Sequence, residues 1–395
     1  VRVAELRTFV VGNPPPSFGG RYFVFLQLVT DDGVVGLGEV YAAAVHPRVV
    51  EQMIGEVFER HVHGSDPFAI EALWRRVFSR GFSARADVTT GAVLSGIEMA
   101  CWDIVGKAVD RPVHALLGGR VHERLRTYTY LYVEEGDPAD VYMDASLAAE
   151  RAAAYAARGF TALKFDPVGA YSAFDPRQPD LASLDRTEAY VRAIREAVGS
   201  RCDLLLGTHG QLTAPGAIRL ARRLERFDPL WFEEPVPPDM HEEMAAVARA
   251  TSIPIATGER LTTKYEFARV LASGAARILQ PNLGRCGGIL EAKKIAALAE
   301  VHYAQLAPHL YCGPVVGAAN AQLAACSPNF LVLEGILDWG GFHAEILRRP
   351  LAWEDGHLLV PDGPGLGVEL DVDVALAHPY EGDDLHLTTL EDPYR

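Results

Sequence analysis

The N-terminal part of the chain alternates apolar and polar positions in three runs, VRVAELRTFVV, RYFVFLQLVTDDG and VVGLGEVY, each rich in β-branched or aromatic residues. Such runs predict strands, and Asp31-Asp32-Gly33 supplies the turn that joins the second to the third as a hairpin. The pattern then changes. Apolar positions recur at helical spacing over 47–61, 67–79 and 88–108, and the last segment brings Val93, Ile97, Ala100, Cys101, Ile104 and Val105 to one face. Pro112 stops the next element, and Gly118-Gly119 mark a boundary.

From about residue 122, short apolar runs and amphipathic stretches take turns. LRTYTYLY, FTALKFDP, CDLLLGTHG, LWFEEPV, IPIATGE, ARILQPN, AQLAPH and FLVLEG read as strands, and segments such as LASLDRTEAYVRAIREAVG and APGAIRLARRLERF read as the helices between them. Strands separated by helices pair in parallel through right-handed crossovers, and eight such units close a (β/α)₈ barrel. An irregular insert, VGAYSAFDPRQPD, follows the second strand and is expected to form a lip over the barrel mouth. The tail, beginning HLLVPDGPGLGVELD, is strand and turn again and is expected to rejoin the N-terminal part. The domains expected are an α+β unit over 1–120, completed by 356–395, and a barrel over 121–355.

At 395 residues the chain exceeds what one hydrophobic core usually serves, which fits two domains. No apolar run reaches the roughly 18–20 residues of a membrane span, and no leader-like stretch opens at Val1, so a cytoplasmic protein without membrane contact is expected. Five scattered cysteines without CxxC spacing agree with reduced thiols. The net charge of −15, with no basic stripe, argues against nucleic acid. An anionic substrate would then need local cations.

In a barrel of this kind the active site lies where the strands end. Those ends carry Lys164 and Asp166 on the second strand, His209 on the third with Gln211 beyond it as a substrate-binding candidate, and Glu233 and Glu234 on the fourth. Glu259, Asn282, His309 and Glu334 finish the fifth to the eighth. Glu233 and Glu259 should share one central volume, where two anions repel unless a cation lies between them. Oxygen donors suit Mg²⁺ better than Zn²⁺. The plainer reading is that these glutamates pair with Lys164 or Arg260 and hold loops.

Here the chain resembles the mandelate racemase/muconate lactonizing enzyme family of the enolase superfamily, close to its acid-sugar dehydratases. The stretches that carry the likeness are DDGVVGLGEV, SGIEMACWDIVGKAVDRPVHALLGG, GFTALKF, WFEEPVPP, PIATGER, ILQPNLGRCGG, APH and DGPGLGVEL, in that order along the whole chain. The resemblance implies a modified TIM barrel, (β/α)₇β, under an N-terminal α+β capping domain. It also implies a homo-oligomer, from dimer to octamer, and a Mg²⁺ ion (or Mn²⁺, or another divalent ion) that binds a sugar-acid carboxylate and stabilises an enediolate after the α-proton leaves. Glu233 and Glu259 match two of the family's metal ligands and His309 its base. The loop NPPPSFGGRY would meet the far end of the substrate through Arg21 and Tyr22.

Three positions depart from the family's pattern. The interval from Glu233 to Glu259, repeated toward the N-terminus, lands on Gly207, where the family has Asp. His209, two residues on, is open to three readings: a replacement metal ligand, a general acid, or a structural imidazole. Lys164-Phe165-Asp166 lacks the second lysine of racemases, leaving Lys164 for the substrate carboxylate and Asp166 for a substrate hydroxyl or a proton. Asn282 replaces the usual Asp partner of His309; its carbonyl can orient the ring but adds no charge, so His309 should be a weaker base. Glu334 is the candidate to supply part of that charge or to bind substrate. Dehydration to a 2-keto-3-deoxy acid is the expected reaction, with sugar-acid or lactone isomerisation, or binding without turnover, as alternatives.

Overall fold

The three N-terminal runs form an antiparallel sheet of β1 (Val3–Gly12), β2 (Tyr22–Thr30) and β3 (Val35–Val40). The computed structural model describes residues 1–79, 87–169 and 175–387. Residues 170–174 of the expected lip and the last residues of the tail, 388–395, lie outside that set. At the hairpin the Thr30 amide donates to the Val34 carbonyl at 2.9 Å, and Gly33 takes a φ of 87°, where a Cβ would be strained.

Strand β2 is buried on both faces. Val24, Leu26 and Leu28 pack under α1 (Pro47–Val57), α2 (Ile70–Ser79) and α3 (Val88–Ala108), while Phe23 and Phe25 join the core shared with the barrel. The helix expected over 47–61 is regular to Val57 and widens into a π-turn at Phe58–Val62. The GLG of β3 lets α3 approach closely: a Cβ on Gly38 would lie 2.0 Å from the Gly96 carbonyl oxygen. Contrary to the expectation from apolar runs, α3 is long and apolar enough to cross a membrane, but 78% of its most apolar window is buried, as in a core helix.

After α4 (Val113–Leu116), strand and helix alternate through β4 (Arg124–Tyr130), α5 (Ala145–Ala157), β5 (Ala162–Phe165), α6 (Leu181–Val198) and β6 (Asp203–Gly207). Next come α7 (Ala214–Leu224), β7 (Trp231–Glu233), α8 (His241–Ala250), β8 (Ile255–Thr257), α9 (Thr263–Ser273) and β9 (Ile278–Leu279). The series ends with α10 (Ile289–Val301), β10 (Gln305–Leu306), α11 (Pro314–Ala325) and β11 (Leu333–Glu334). All neighbours from β4 to β10 pair in parallel. β11 pairs in parallel with β4, and a Leu306–Phe330 bridge closes the ring. The eighth strand is followed by the short α12 (Phe342–Glu345) and a hairpin, β12 (Trp353–Glu354) and β13 (His357–Leu359), so the barrel is (β/α)₇β rather than a full eight-unit one.

The tail departs from expectation at its start: β13 pairs antiparallel with the first half of β4 and so belongs to the barrel. Only then does the chain return to the N-terminal sheet, through α13 (Val372–Ala377) and a Val11–Pro379 bridge. Two buried carboxylates of the N-terminal domain hold the ends of barrel helices. Glu39 accepts from the Gly313, Val315 and Val316 amides at 2.5, 3.1 and 2.9 Å at the start of α11. Glu98 accepts from Ile289 and Leu290 at 2.7 and 2.9 Å at the start of α10. Burial pushes both carboxyls up to about 7, while the amides pull the other way.

Candidate active site

One inward-facing residue from each strand region fills the barrel: Tyr128, Ala162, Leu205, Trp231, Ala256, Ile278, Ala307 and Val332. Side chains on one face of a strand recur every second residue. Two positions on stand Tyr130, Lys164, Gly207, Glu233, Gln280, His309 and Glu334, and two beyond some of these stand Asp166, His209 and Asn282. The polar residues at the strand ends are therefore the next layers of the same inward register.

Lys164 is fully buried and central, its Nζ 2.5 Å from Glu233 Oε1 and 3.6 Å from Glu334 Oε1. Burial works to strip its proton, but Glu233, Glu334 and Glu259 outweigh it and raise the pKa. Glu233 Oε2 accepts from Gln280 Nε2 at 2.8 Å and Trp231 Nε1 at 3.0 Å. Its carboxyl is raised by burial and by Glu259 and Glu334, against the pull of Lys164. The pairing with Lys164 foreseen as the plainer reading is present at Glu233, whereas Arg260 Nε donates to the second glutamate of the pair, Glu234, at 2.8 Å.

His209 sits at a left-handed turn with φ 47°, fixed by Thr208, whose hydroxyl donates to the Glu233 and Glu234 carbonyls at 2.8 and 2.9 Å. Its Nδ1 forms an ion pair with Asp166 Oδ1 at 3.1 Å, and its Nε2 lies 3.5 Å from the Tyr130 hydroxyl. Burial lowers the imidazole pKa, but Asp166 overrides this and lifts it to about 9. His209 is therefore an imidazolium at neutral pH.

His309 has different neighbours. Its Nε2 lies 3.0 Å from Glu259 Oε2 and 3.7 Å from Glu334 Oε2. Burial would raise Glu259, but His309, His209 and Lys164 hold it well below the usual carboxylate range. The expectation for Asn282 needs correction. Its carbonyl oxygen accepts from the Gly284 amide at 2.8 Å, so its NH₂ group, not its carbonyl, faces His309 Nδ1 at 2.9 Å. With the Asn282 NH₂ at Nδ1, Nε2 is the nitrogen left to carry an N–H toward Glu259.

The expected Mg²⁺ ligands Glu233, Glu259 and His209 do not converge. Among the described residues no three His, Cys, Asp or Glu side chains are placed to hold a metal ion. Both oxygens of Glu233 are occupied by donors, Glu259 is turned to His309, and both nitrogens of His209 are engaged. A Cβ on Gly207 would lie 2.9 Å from the Tyr130 hydroxyl, 3.1 Å from Asp166 Oδ1 and 3.3 Å from Lys164 Cε, so neighbours fill the space of the missing acid. The donors as arranged do not fit a divalent ion. Lys164 and His209, both with raised pKa values, bring positive charge to the same cavity.

These groups open into a cavity of about 390 Å³, which also takes in Arg21, Tyr41, Tyr132, Tyr311 and His386. Arg21 reaches it as expected. Tyr22 does not: as the next residue it points to the other side and packs against Tyr380, the rings tilted by 47° with centroids 4.8 Å apart. Gln211 also misses the cavity lining, its amide turned to the Gly169 carbonyl at 3.4 Å. Tyr130 and Gln280 escaped the sequence reading, although the two-residue register from Tyr128 and Ile278 leads to both. Tyr41 and His386 come from outside the barrel, and no barrel pattern points to them.

An α+β cap over a (β/α)₇β barrel, with lysine, acids and histidines at the strand ends, defines an enolase-type barrel protein. Residues 16–118 match the mandelate racemase/muconate lactonizing enzyme N-terminal domain, and 147–374 match the enolase C-terminal domain-like family. The chain belongs to the mandelate racemase/muconate lactonizing enzyme family. A solved structure from Labrenzia alexandrii DFL-11, named for the same family, is 60% identical, with a TM-score of 0.97 over 100% of this chain and 99% of that one. The D-xylonate dehydratase of Haloferax volcanii is 33% identical, covering 98% of this chain and 91% of the relative. The D-galactonate dehydratase of Ralstonia pickettii is 36% identical, covering 97% and 96%. Members of the superfamily generally use Mg²⁺.

Proposed function

We propose that the protein dehydrates a sugar acid to its 2-keto-3-deoxy acid. The carrying observation is a pair of imidazoles four strands apart in an eight-strand ring, so half-way round the barrel, that line one cavity with the buried Lys164 ammonium. The sugar-acid dehydratases among the relatives support the same reaction class.

The substrate carboxylate lies against Lys164, whose charge stabilises the electrons left when the α-C–H bond breaks. His309 takes that proton. The enediolate electrons then form the Cα–Cβ double bond as the β-C–O bond breaks, and the departing hydroxyl leaves as water with the Nε2 proton of His209. The enol product becomes the 2-keto acid. The Asp166-held imidazolium thus favours the acid reading of His209 over the metal-ligand one. For His309 to accept a proton at Nε2, its own proton must move to Nδ1, and Asn282 must turn its carbonyl there at the expense of the Gly284 hydrogen bond. His309 is therefore a gated base. Asp166 and Glu334, which line the same cavity, are the groups that take the substrate's hydroxyls in this reading.

The test is a panel of acid sugars in D₂O, with and without Mg²⁺ or Mn²⁺, followed for 2-keto-3-deoxy products and α-deuterium exchange. Product should form without added metal. His209→Asn should abolish product but keep exchange, and His309→Asn should abolish both. Exchange with an epimer as product would move the reading to isomerisation; no exchange and no product with any acid would remove it.

A further inference from the structure

The cap and the tail meet at the cavity. The Arg21 amide donates to the His386 carbonyl at 3.2 Å, and Arg21 Nη1 donates to the Leu385 carbonyl at 3.0 Å. This pins residues 385–387 across the loop that precedes β2. Gly20 makes the crossing possible: at φ 107° it carries no side chain, and a Cβ there would lie 2.0 Å from the His386 ring.

The ring that this strap delivers is only 3% exposed, yet it lines the cavity. Its centroid lies 5.1 Å from that of Tyr41, 5.3 Å from Tyr22 and 6.1 Å from Tyr311, all near edge-on or tilted. Tyr41 in turn stacks on His309 at 6.2 Å. His386 is thus one aromatic ring removed from the reacting centre. Among the described residues neither of its ring nitrogens makes a well-formed hydrogen bond, and the only backbone group that favours a proton on the ring is that of Gly19. A buried polar group left unpaired costs stability, and such groups at a cavity wall are commonly completed by what the cavity holds.

We infer that the C-terminal tail is part of the substrate site, and that His386 hydrogen-bonds a hydroxyl at the far end of the substrate chain, selecting for its length and configuration. The class of ligand rests on the dehydratase reading; the place of the ring does not. Burial, together with Arg285 and Arg21, holds the imidazole neutral with a pKa of about 3, against the Gly19 backbone, which favours the proton. A neutral ring offers one donor and one acceptor, which suits a hydroxyl better than a second carboxylate.

Calorimetric titration of the full chain with D-galactonate, D-xylonate and D-glycerate separates the possibilities, because glycerate keeps the carboxylate and both reacting carbons but lacks the distal hydroxyls. His386→Phe should weaken galactonate and xylonate by about ten-fold and glycerate by less than two-fold. His386→Asn, which keeps a donor and an acceptor, should recover part of the loss. Gly20→Ala, which displaces the ring from the cap side, should reproduce the Phe phenotype if the strap still folds, as its melting temperature will show. Equal weakening of all three acids, or of none, overturns the inference. Selective weakening without any dehydration by the wild type would instead overturn the reaction and leave the tail's role standing. A wild type that binds none of the three overturns both.

Discussion

Two sides of the barrel mouth each present an imidazole, and they differ in the partner behind it. On the β5–β6 side His209 is backed by the Asp166 carboxylate and carries an extra proton. On the β9–β10 side His309 is backed by the NH₂ of Asn282, a neutral donor that leaves Nε2 to carry the N–H facing Glu259. The usual arrangement, an acid behind the β10 histidine, has in effect crossed the barrel. The comparison teaches that the character of a catalytic histidine lies in the atom facing its remote nitrogen, and a substitution of one oxygen by one nitrogen is enough to change it.

The largest effect should come from the charge that both sides share. Lys164→Met should lower kcat at least a thousand-fold with product and exchange lost together, since removing even one preorganised donor costs about 10²–10³; a loss under ten-fold would mean that something else carries the developing charge. The next test concerns His209. Acting as the acid, it should give a kcat that falls as pH rises through about 9, and Asp166→Asn should bring that limb down by more than one unit. A limb rising through 9 would make His209 the base. The sign for stability is parallel: the raised pKa contributes stability that is complete below the unfolded value of 6.5 and is lost as pH climbs through about 9.

Asn282→Asp sharpens the other side. A carboxylate accepts from both the Gly284 amide and His309 Nδ1–H, so no turn is needed, and α-deuterium exchange should quicken by roughly ten-fold. Slower exchange would show that His309 is not the base. Gly207→Asp should have the smallest effect on rate but a clear one on Mn²⁺ affinity, raised by about ten-fold in titration monitored by Mn²⁺ spin resonance. A wild type that already binds Mn²⁺ tightly, with no gain in the variant, would refute the misfit found at Gly207.

Much of this was legible in the chain. Short apolar runs located the barrel strands because a parallel sheet buried on both faces admits little else. Counting two residues on from each run led to Lys164, Glu233, His309 and Glu334. The neighbour that fills the space at Gly207 was within reach too, since β5 and β6 pair Phe165 with Leu206 and so set Asp166 beside Gly207. What stayed hidden depends on groups far apart in sequence or on single atoms. The orientation of Asn282 is decided by one backbone amide at Gly284. The pairing of β13 with β4 joins segments more than two hundred residues apart. His386 stands in a polar stretch with no periodicity to betray it.

The carboxylates of Glu39 and Glu98 bear on traffic through the site. Each is clasped by backbone amides at the head of a different barrel helix, so swinging the cap aside would give up five hydrogen bonds and bare two helix ends at once. The roof therefore behaves as masonry rather than a hinge. Exchange of substrate then has to proceed without the cap swinging away as a body.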